Sequence, residues 1–149
     1  MSNKAAASPA GDIHWAIAMP NTLAGLEKGM TGLAAWLERQ GTGPEAVNRA
    51  SLVFEEIVTN VIRYGFSDDR AHLIHAVAEL GGDVLILHFD DDGKAFDPTT
   101  GPEHAPANSL AEASIGGRGL MLIRKAARRM KYERTKEGRN RLMIALSRQ

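Results

Sequence analysis

The chain has 149 residues, which favours one domain, and 44% of them are hydrophobic, enough for a buried core. Its 18 basic and 18 acidic side chains cancel, which argues against direct nucleic-acid binding, and the lack of cysteine excludes disulfides and thiolate chemistry. No apolar run reaches the roughly 20 residues of a membrane span. Residues 1–11 lack the apolar core of a secretory signal, so we expect a cytoplasmic protein without a membrane partner.

The first predicted elements are a strand and a helix that follow a flexible N-terminus over residues 1–12. An alternating edge strand begins at Ile13 and is closed by Pro20, and Asn21 or Thr22 is placed to cap an amphipathic helix. The apolar stripe of this helix comprises Leu23, Leu26, Met30, Leu33 and Leu37.

A second helix is predicted from about residue 44 to about residue 64, with Gly65 placed to end it. Two strands follow, over residues 71–79 and 83–90, with Gly81-Gly82 as their turn. The second of these strands is apolar on both faces apart from one histidine, so we expect it at the centre of the sheet.

A segment without periodicity, at about 98–117, is interpreted as a lid, and we expect it to be poorly ordered without ligand. A helix is predicted next, from Leu120 to about Arg129, and strands over 131–136 and 141–147 end the chain. The outer side of that helix is expected to carry Arg124, Lys125, Arg128 and Arg129. Hairpins with grouped helices indicate an α+β, two-layer α/β sandwich over residues 13–149.

Three short segments carry polar residues that could take part in catalysis or ligand binding. In the second predicted helix, Glu56 and Asn60 are four residues apart and share a face, with Arg63 nearly above them. This column suits a base, a metal and a phosphate, but taken alone it is more typical of a solvated helix face, because such pairs are ordinary. Glu55 and Glu56 are adjacent in an otherwise apolar helix, so the two cannot both easily face solvent.

The other two segments are an acidic turn and a glycine-rich turn. Asp90, Asp91 and Asp92 follow the predicted central strand, and Gly93 permits a close backbone approach; a plain polar strand end is the alternative. The spacing does not match a calcium-binding EF-hand loop. The run Gly116-Gly117-Arg118-Gly119-Leu120 opens a helix, where free backbone N–H groups suit phosphate, although glycines also commonly precede helices.

The order and spacing of the three segments resemble the GHKL (Bergerat-fold) ATP-binding domain, and in particular the anti-sigma-factor serine/threonine kinases of bacterial partner-switching systems. Residues 56–60 match the N box of that family, residues 91–98 its first glycine box and residues 117–120 its second. The resemblance covers about residues 13–147 and implies a mixed, mainly antiparallel sheet with helices on one face.

The resemblance also implies the residue roles. Glu56 corresponds to the catalytic base and Asn60 to the Mg²⁺ ligand, whereas Arg63 is our own addition as a phosphate or acceptor contact. Asp91 corresponds to the acceptor of the adenine amino group. The other implied ATP contacts are Gly93, Ala95, Phe96, Gly117, Arg118, Gly119 and Leu120.

One departure from the family concerns the first glycine box, whose second glycine is Ala95 here. If this position needs a positive φ, alanine costs roughly 1 kcal/mol and weakens ATP binding. Because aromatic residues make up only 5% of the chain, we expect aliphatic side chains around adenine.

The family resemblance implies a kinase that phosphorylates a small STAS-domain anti-anti-sigma protein, sequesters a sigma factor and forms a homodimer. A non-catalytic ATP-binding module that sequesters a partner is the alternative. An ATPase like the larger GHKL chaperones and gyrases lacks support because no transducer domain is found, and a histidine kinase lacks support because no phosphoacceptor helix fits.

Overall fold

An antiparallel sheet with helices packed on one face is the scaffold of the chain, in a computed structural model that describes residues 14–100 and 118–149. The described elements are β1 (His14–Pro20), α1 (Leu23–Arg39), α2 (Pro44–Tyr64), β2 (Leu73–Gly81), β3 (Val84–Asp91), α3 (Arg118–Ala126), β4 (Ala127–Arg134) and β5 (Asn140–Ser147). The predictions on residues 1–12 and on the lid beyond residue 100 lie outside these ranges.

The sheet has the strand order β1-β2-β3-β5-β4, which confirms β1 as an edge strand and β3 as the central one. Every strand pair within the described residues is antiparallel, so the parallel pairing that a mixed sheet requires is not found there. The two-layer α+β prediction itself is confirmed. In the described ranges, no helix is both long and apolar enough to cross a membrane.

The core lies between the sheet and the helices because each strand alternates an inward and an outward side chain. In β3, Leu85, Leu87 and Phe89 are buried and Asp91 continues the same inward register. In β5 the inward register runs through Asn140, Leu142, Ile144 and Leu146. Both strands therefore bring a polar residue to the same end of the apolar core.

The helix ends follow local sequence signals. Thr22 caps α1, since its hydroxyl accepts a hydrogen bond from the backbone N–H of Gly25 at 3.0 Å. Helix α2 begins with Pro44 in its first turn and ends at Gly65. Gly65 has an ordinary φ of −78°, and its need for glycine is steric, since an added Cβ would lie 2.6 Å from the carbonyl oxygen of Val61.

Two predicted boundaries were wrong. The β2–β3 turn is Gly82-Asp83 rather than Gly81-Gly82, because Gly82 adopts the left-handed φ of +63° and Gly81 still pairs with Val84.

The second correction concerns the end of α3, which stops at Ala126, so that Arg128 and Arg129 belong to β4 and not to a helix. Pairing of β4 with β5, which starts at Ala127 opposite Leu146 and includes an irregularity before Arg129, overrides the local helical pattern.

Candidate functional site

A cavity of about 420 Å³ opens between α2, the loop after β3, the start of α3 and the inward side of β4 and β5. Its size lies in the range of small-molecule sites. The lining side chains are mostly apolar, with a few polar groups among them: Ile57, Asn60, Val61, Tyr64, Gly65, Phe89, Asp91, Lys94, Ala95, Phe96, Pro98, Leu120, Tyr132, Asn140 and Leu142.

All three segments singled out in the sequence reach this cavity. Asn60 comes from the helical segment, Asp91, Ala95 and Phe96 from the acidic turn, and Leu120 from the glycine-rich turn. Residues that are far apart in the chain therefore converge on one site.

Asp91 is held in the cavity wall by a short network of hydrogen bonds. Only 4% of the residue is exposed, and its Oδ1 accepts from the backbone N–H of Gly93 at 2.8 Å and from Asn140 Nδ2 at 3.0 Å. Within the ranges that the structure describes, all hydrogen bonds of this carboxylate end on Oδ1. Its second oxygen is thus left to accept a hydrogen bond from a ligand.

Glycine is required at position 93 for steric reasons and not by its backbone conformation. Gly93 is not among the described glycines with positive φ. An added Cβ would lie 2.7 Å from the carbonyl oxygen of Gly65 and 3.0 Å from Asp91 Oδ1. The glycine therefore lets the loop after β3 pack directly against the end of α2.

Asn140, which sequence reasoning missed, organises this end of the cavity. It lies directly opposite Asp91 in the β3–β5 register and is 8% exposed. Besides Asp91, its Nδ2 donates to the carbonyl oxygen of Lys94 at 2.9 Å, and its Oδ1 accepts from the Tyr132 hydroxyl at 2.5 Å. A polar residue in the inward register of β5 was the available signal.

Glu56 lies beside the cavity and is not one of its described lining residues. It is half-buried, and its carboxylate packs so close to Gly119 at the start of α3 that a Cβ there would overlap it. Glu55 faces solvent, which confirms that only one of the two glutamates does so freely. Burial, and then the charge of Glu55, raise the pKa of Glu56 above 4.5, while Arg63 opposes this rise.

Several other residues singled out in the sequence are not among the described residues that line the cavity. Arg63 is exposed and is not among the lining residues, so its role stays a prediction. Gly117 and the side chain of Arg118 lie outside the part of the chain that the structure describes. Arg124, assigned by sequence to the outer side of the helix, instead donates to the carbonyl oxygens of Pro98 at 3.1 Å and Thr100 at 2.9 Å.

Two expectations about the cavity need correction. Ala95 has no positive φ, since no non-glycine residue in the described ranges has one, so the alanine carries no such strain. The wall is not simply aliphatic either. Both tyrosines and two of the four phenylalanines of the chain line the cavity, because the fold gathers scattered aromatic residues there.

The predicted metal ligand is compatible with a magnesium ion that arrives with a nucleotide. Asn60 is 9% exposed and lines the cavity, and its side-chain amide makes no hydrogen bond to another described residue. Among the described residues, no group of three or more histidine or acidic side chains is arranged to hold a metal ion. One amide oxygen suits Mg²⁺ only if phosphate oxygens and water complete the coordination shell.

Comparison with known proteins assigns the chain to a family. Residues 19–145 match the model of the histidine kinase-like ATPase domain, which is most of the chain. The chain belongs to this family.

Among named relatives of this histidine kinase-like ATPase domain is the serine/threonine-protein kinase BtrW of Bordetella bronchiseptica, which is 31% identical over 94 residues. That alignment covers 63% of this chain and 66% of the relative, just under two thirds of its length.

Solved structures share the fold at low sequence identity. The SiaB–SiaC complex of Pseudomonas aeruginosa matches with a TM-score of 0.60 and 14% identity, over 97% of this chain and 96% of the matched one. The RsbU and RsbW domains of a Mycobacterium tuberculosis protein match with a TM-score of 0.57 and 15% identity, over 90% of this chain and 32% of the other. These likenesses establish the fold, including the antiparallel sheet that positions the site.

Proposed function

We propose that this domain is an ATP-dependent serine/threonine protein kinase of the anti-sigma-factor type. The observation that carries the proposal is that Asn60 and Asp91, from elements on either side of the cavity, face the same space, with Glu56 one helical turn before Asn60. An ATPase-domain family and a relative named as a serine/threonine kinase support the same activity.

Asp91 would select adenine at the inner end of the cavity. A carboxylate accepts but does not donate hydrogen bonds, so its free oxygen suits the amino group of adenine. Guanine presents a carbonyl oxygen at the corresponding position, which a carboxylate repels. Phe96 and Tyr64, each about half exposed at the cavity, supply apolar surface for the base.

Asn60 and Glu56 would act on the phosphate side. The Asn60 amide oxygen would be the protein ligand of a Mg²⁺ ion that arrives with ATP, and this ion would supply positive charge against the phosphates. In the transfer, the acceptor hydroxyl oxygen forms a bond to the γ-phosphorus and the bond from that phosphorus to the bridging oxygen breaks, which releases ADP. The hydroxyl proton goes to the Glu56 carboxylate, whose raised pKa makes it a stronger base than an exposed glutamate.

The substrate we propose is a small STAS-domain anti-anti-sigma protein, with a sigma factor as the second partner and a homodimer as the assembly. These finer assignments follow from the resemblance of the three motifs to the partner-switching kinases.

The experiment is incubation of the protein with γ-labelled ATP, Mg²⁺ and candidate STAS proteins. Glu56→Gln should bind Mg-ATP but lose label transfer by about 100-fold or more. Glu55→Gln is the matched control, because Glu55 is the exposed neighbour on the same helix, and it should transfer label as the wild type does. Wild-type protein that binds ATP and labels none of the candidates would support the non-catalytic module instead. The packing of Glu56 against Gly119, beside and not within the cavity wall, is the observation that keeps this alternative open.

A further inference from the structure

His72 lies outside the cavity, yet its side chain joins two loops that shape it. The segment between α2 and β2 contains Asp68 and His72, and the loop after β3 contains Asp92. The imidazole Nε2 of His72 is 2.8 Å from Asp68 Oδ1, and its Nδ1 is 3.2 Å from Asp92 Oδ1. One ring therefore bridges both segments.

The ring is firmly held in this position. Its side chain is only 10% exposed and stacks on Phe66, with ring centroids 4.0 Å apart and planes inclined by 15°. The backbone of His72 is fixed as well, because its N–H donates to Asn21 Oδ1 at 3.1 Å and its carbonyl oxygen accepts from the Asn21 N–H at 3.0 Å, in the turn between β1 and α1. An ordered backbone and a stacked ring leave the imidazole little freedom to release either carboxylate.

The bridge acts on the segment that carries the adenine-binding carboxylate. Asp92 directly follows Asp91, and the same loop is tied to the end of α2 by a hydrogen bond of 2.8 Å from the Lys94 N–H to the carbonyl oxygen of Gly65. Gly65, Asp91 and Lys94 all line the cavity. The His72 bridge is thus a second tie between the same two segments, close to the first.

Both contacts need a protonated ring. An ionised carboxylate only accepts hydrogen bonds, and a neutral imidazole has one N–H, whereas the imidazolium has two. Among the described residues, the charged groups around the ring are Asp68, Asp92 and Arg70, and Arg70 itself pairs with Asp68 at 3.4 Å. The ring thus faces two carboxylates, with a single guanidinium on the far side of one of them.

We propose that His72, as an imidazolium, is a positioning residue that holds the loop after β3 in the shape that binds ATP, so that affinity for ATP weakens when His72 loses its proton. This inference rests on the proposed ATP-binding function of the cavity.

The direction of the pH dependence follows from the contacts. The hydrogen bond with Asp68 is the main cause that raises the pKa of His72 above 6.5, Asp92 adds to it, and desolvation opposes it. A raised histidine pKa means that the bridge is complete below about pH 6.5 and is lost as the pH rises through the higher value in the folded protein.

The test is calorimetric titration with Mg-ATP from about pH 5.5 to about pH 9, on the wild type, His72→Gln and the control His75→Gln. His75 is an exposed histidine in β2, three residues further along the chain. ATP itself also titrates in this pH range, but it does so equally for every variant. The ratio of the wild-type affinity to the variant affinity at each pH therefore reports only the titration of the protein. The wild type should bind about fivefold more tightly than His72→Gln at the acid end, and the two should converge at the alkaline end. His75→Gln should follow the wild type throughout.

Asp92→Ala provides a second variant that leaves the ring and Asp68 intact. It should also lose about fivefold in affinity at acid pH, because it removes only the acceptor that links the ring to the loop after β3. Parallel pH curves for the wild type and His72→Gln, or wild-type behaviour of Asp92→Ala, would overturn the inference and leave the ATP site standing. A complete lack of ATP binding by the wild type at every pH would overturn the proposed function, and the inference with it.

Discussion

Gly93→Ala tests the packing that holds the adenine-binding end of the site. The added methyl group would lie 2.7 Å from the Gly65 carbonyl oxygen and 3.0 Å from Asp91 Oδ1, both closer than van der Waals contact allows. Neither atom is free to move away, because the first accepts from Lys94 N–H and the second from Asn140.

The expected cost follows from these contacts. Overpacking a well-filled site costs about 1–3 kcal/mol, and alanine regains about 0.4–1 kcal/mol by restricting the unfolded chain. We therefore expect the free energy of unfolding to fall by about 1–2 kcal/mol. Affinity for ATP should fall as well, because the methyl group displaces the Asp91 carboxylate.

Gly81→Ala is the matched control. An added Cβ at Gly81 meets no atom within 4 Å, and Gly81 is not among the described glycines with positive φ. Urea unfolding followed by circular dichroism, for both variants and the wild type, measures the difference. If Gly93→Ala unfolds within about 0.5 kcal/mol of the wild type and binds ATP equally well, the steric reasoning is wrong.

Three further predictions concern the same site. Asn140→Asp places a second buried carboxylate opposite Asp91 and removes the amide donor. Urea unfolding at neutral pH should therefore show a free energy of unfolding that is lower by about 2 kcal/mol or more. Asn48→Asp, at an exposed position, is the control and should leave the free energy of unfolding unchanged. Glu56→Gln should unfold at higher urea concentration than the wild type at pH 7, because a raised glutamate pKa means that ionisation destabilises the fold. This difference in stability should vanish as the pH falls towards 4.5 and the wild-type glutamate becomes protonated. A difference that stays constant with pH would contradict the raised pKa. Gly119→Ala should displace the Glu56 carboxylate and slow label transfer at saturating ATP by about tenfold or more; unchanged transfer would refute the contact.

Periodicity and caps predicted most of the fold because those signals are local. The bounds of α2 agree with the sequence, since Pro44 and Gly65 mark its two ends in ways that need no distant partner. The end of α3 was mispredicted because Ala126 and Ala127 carry no stop signal. The pairing of β4 with β5 determines where α3 ends, and that pairing joins Ala127 to Leu146, which are 19 positions apart in the chain.

The site was predictable where its residues form short motifs. Asn60 and Asp91 were found this way, and the structure places both in the cavity. Asn140 and Tyr132 were not, because they reach the site only through the register of β5 against β3 and β4, about 40 or more residues after Asp91. Arg124 was assigned to the outer side of its helix for a related reason, since its partners at Pro98 and Thr100 lie more than 20 residues away in the chain, at the start of the segment predicted as a lid.

The most direct measurement is a calorimetric titration with ATP and with GTP in the presence of Mg²⁺, on the wild type and on Asp91→Asn. The wild type should bind ATP and discriminate against GTP, and Asp91→Asn should lose about tenfold or more in ATP affinity, as expected for a lost hydrogen bond to a charged group. Tight binding of GTP by the wild type, or unchanged ATP affinity in Asp91→Asn, would contradict the assignment of this cavity as an adenine-specific site.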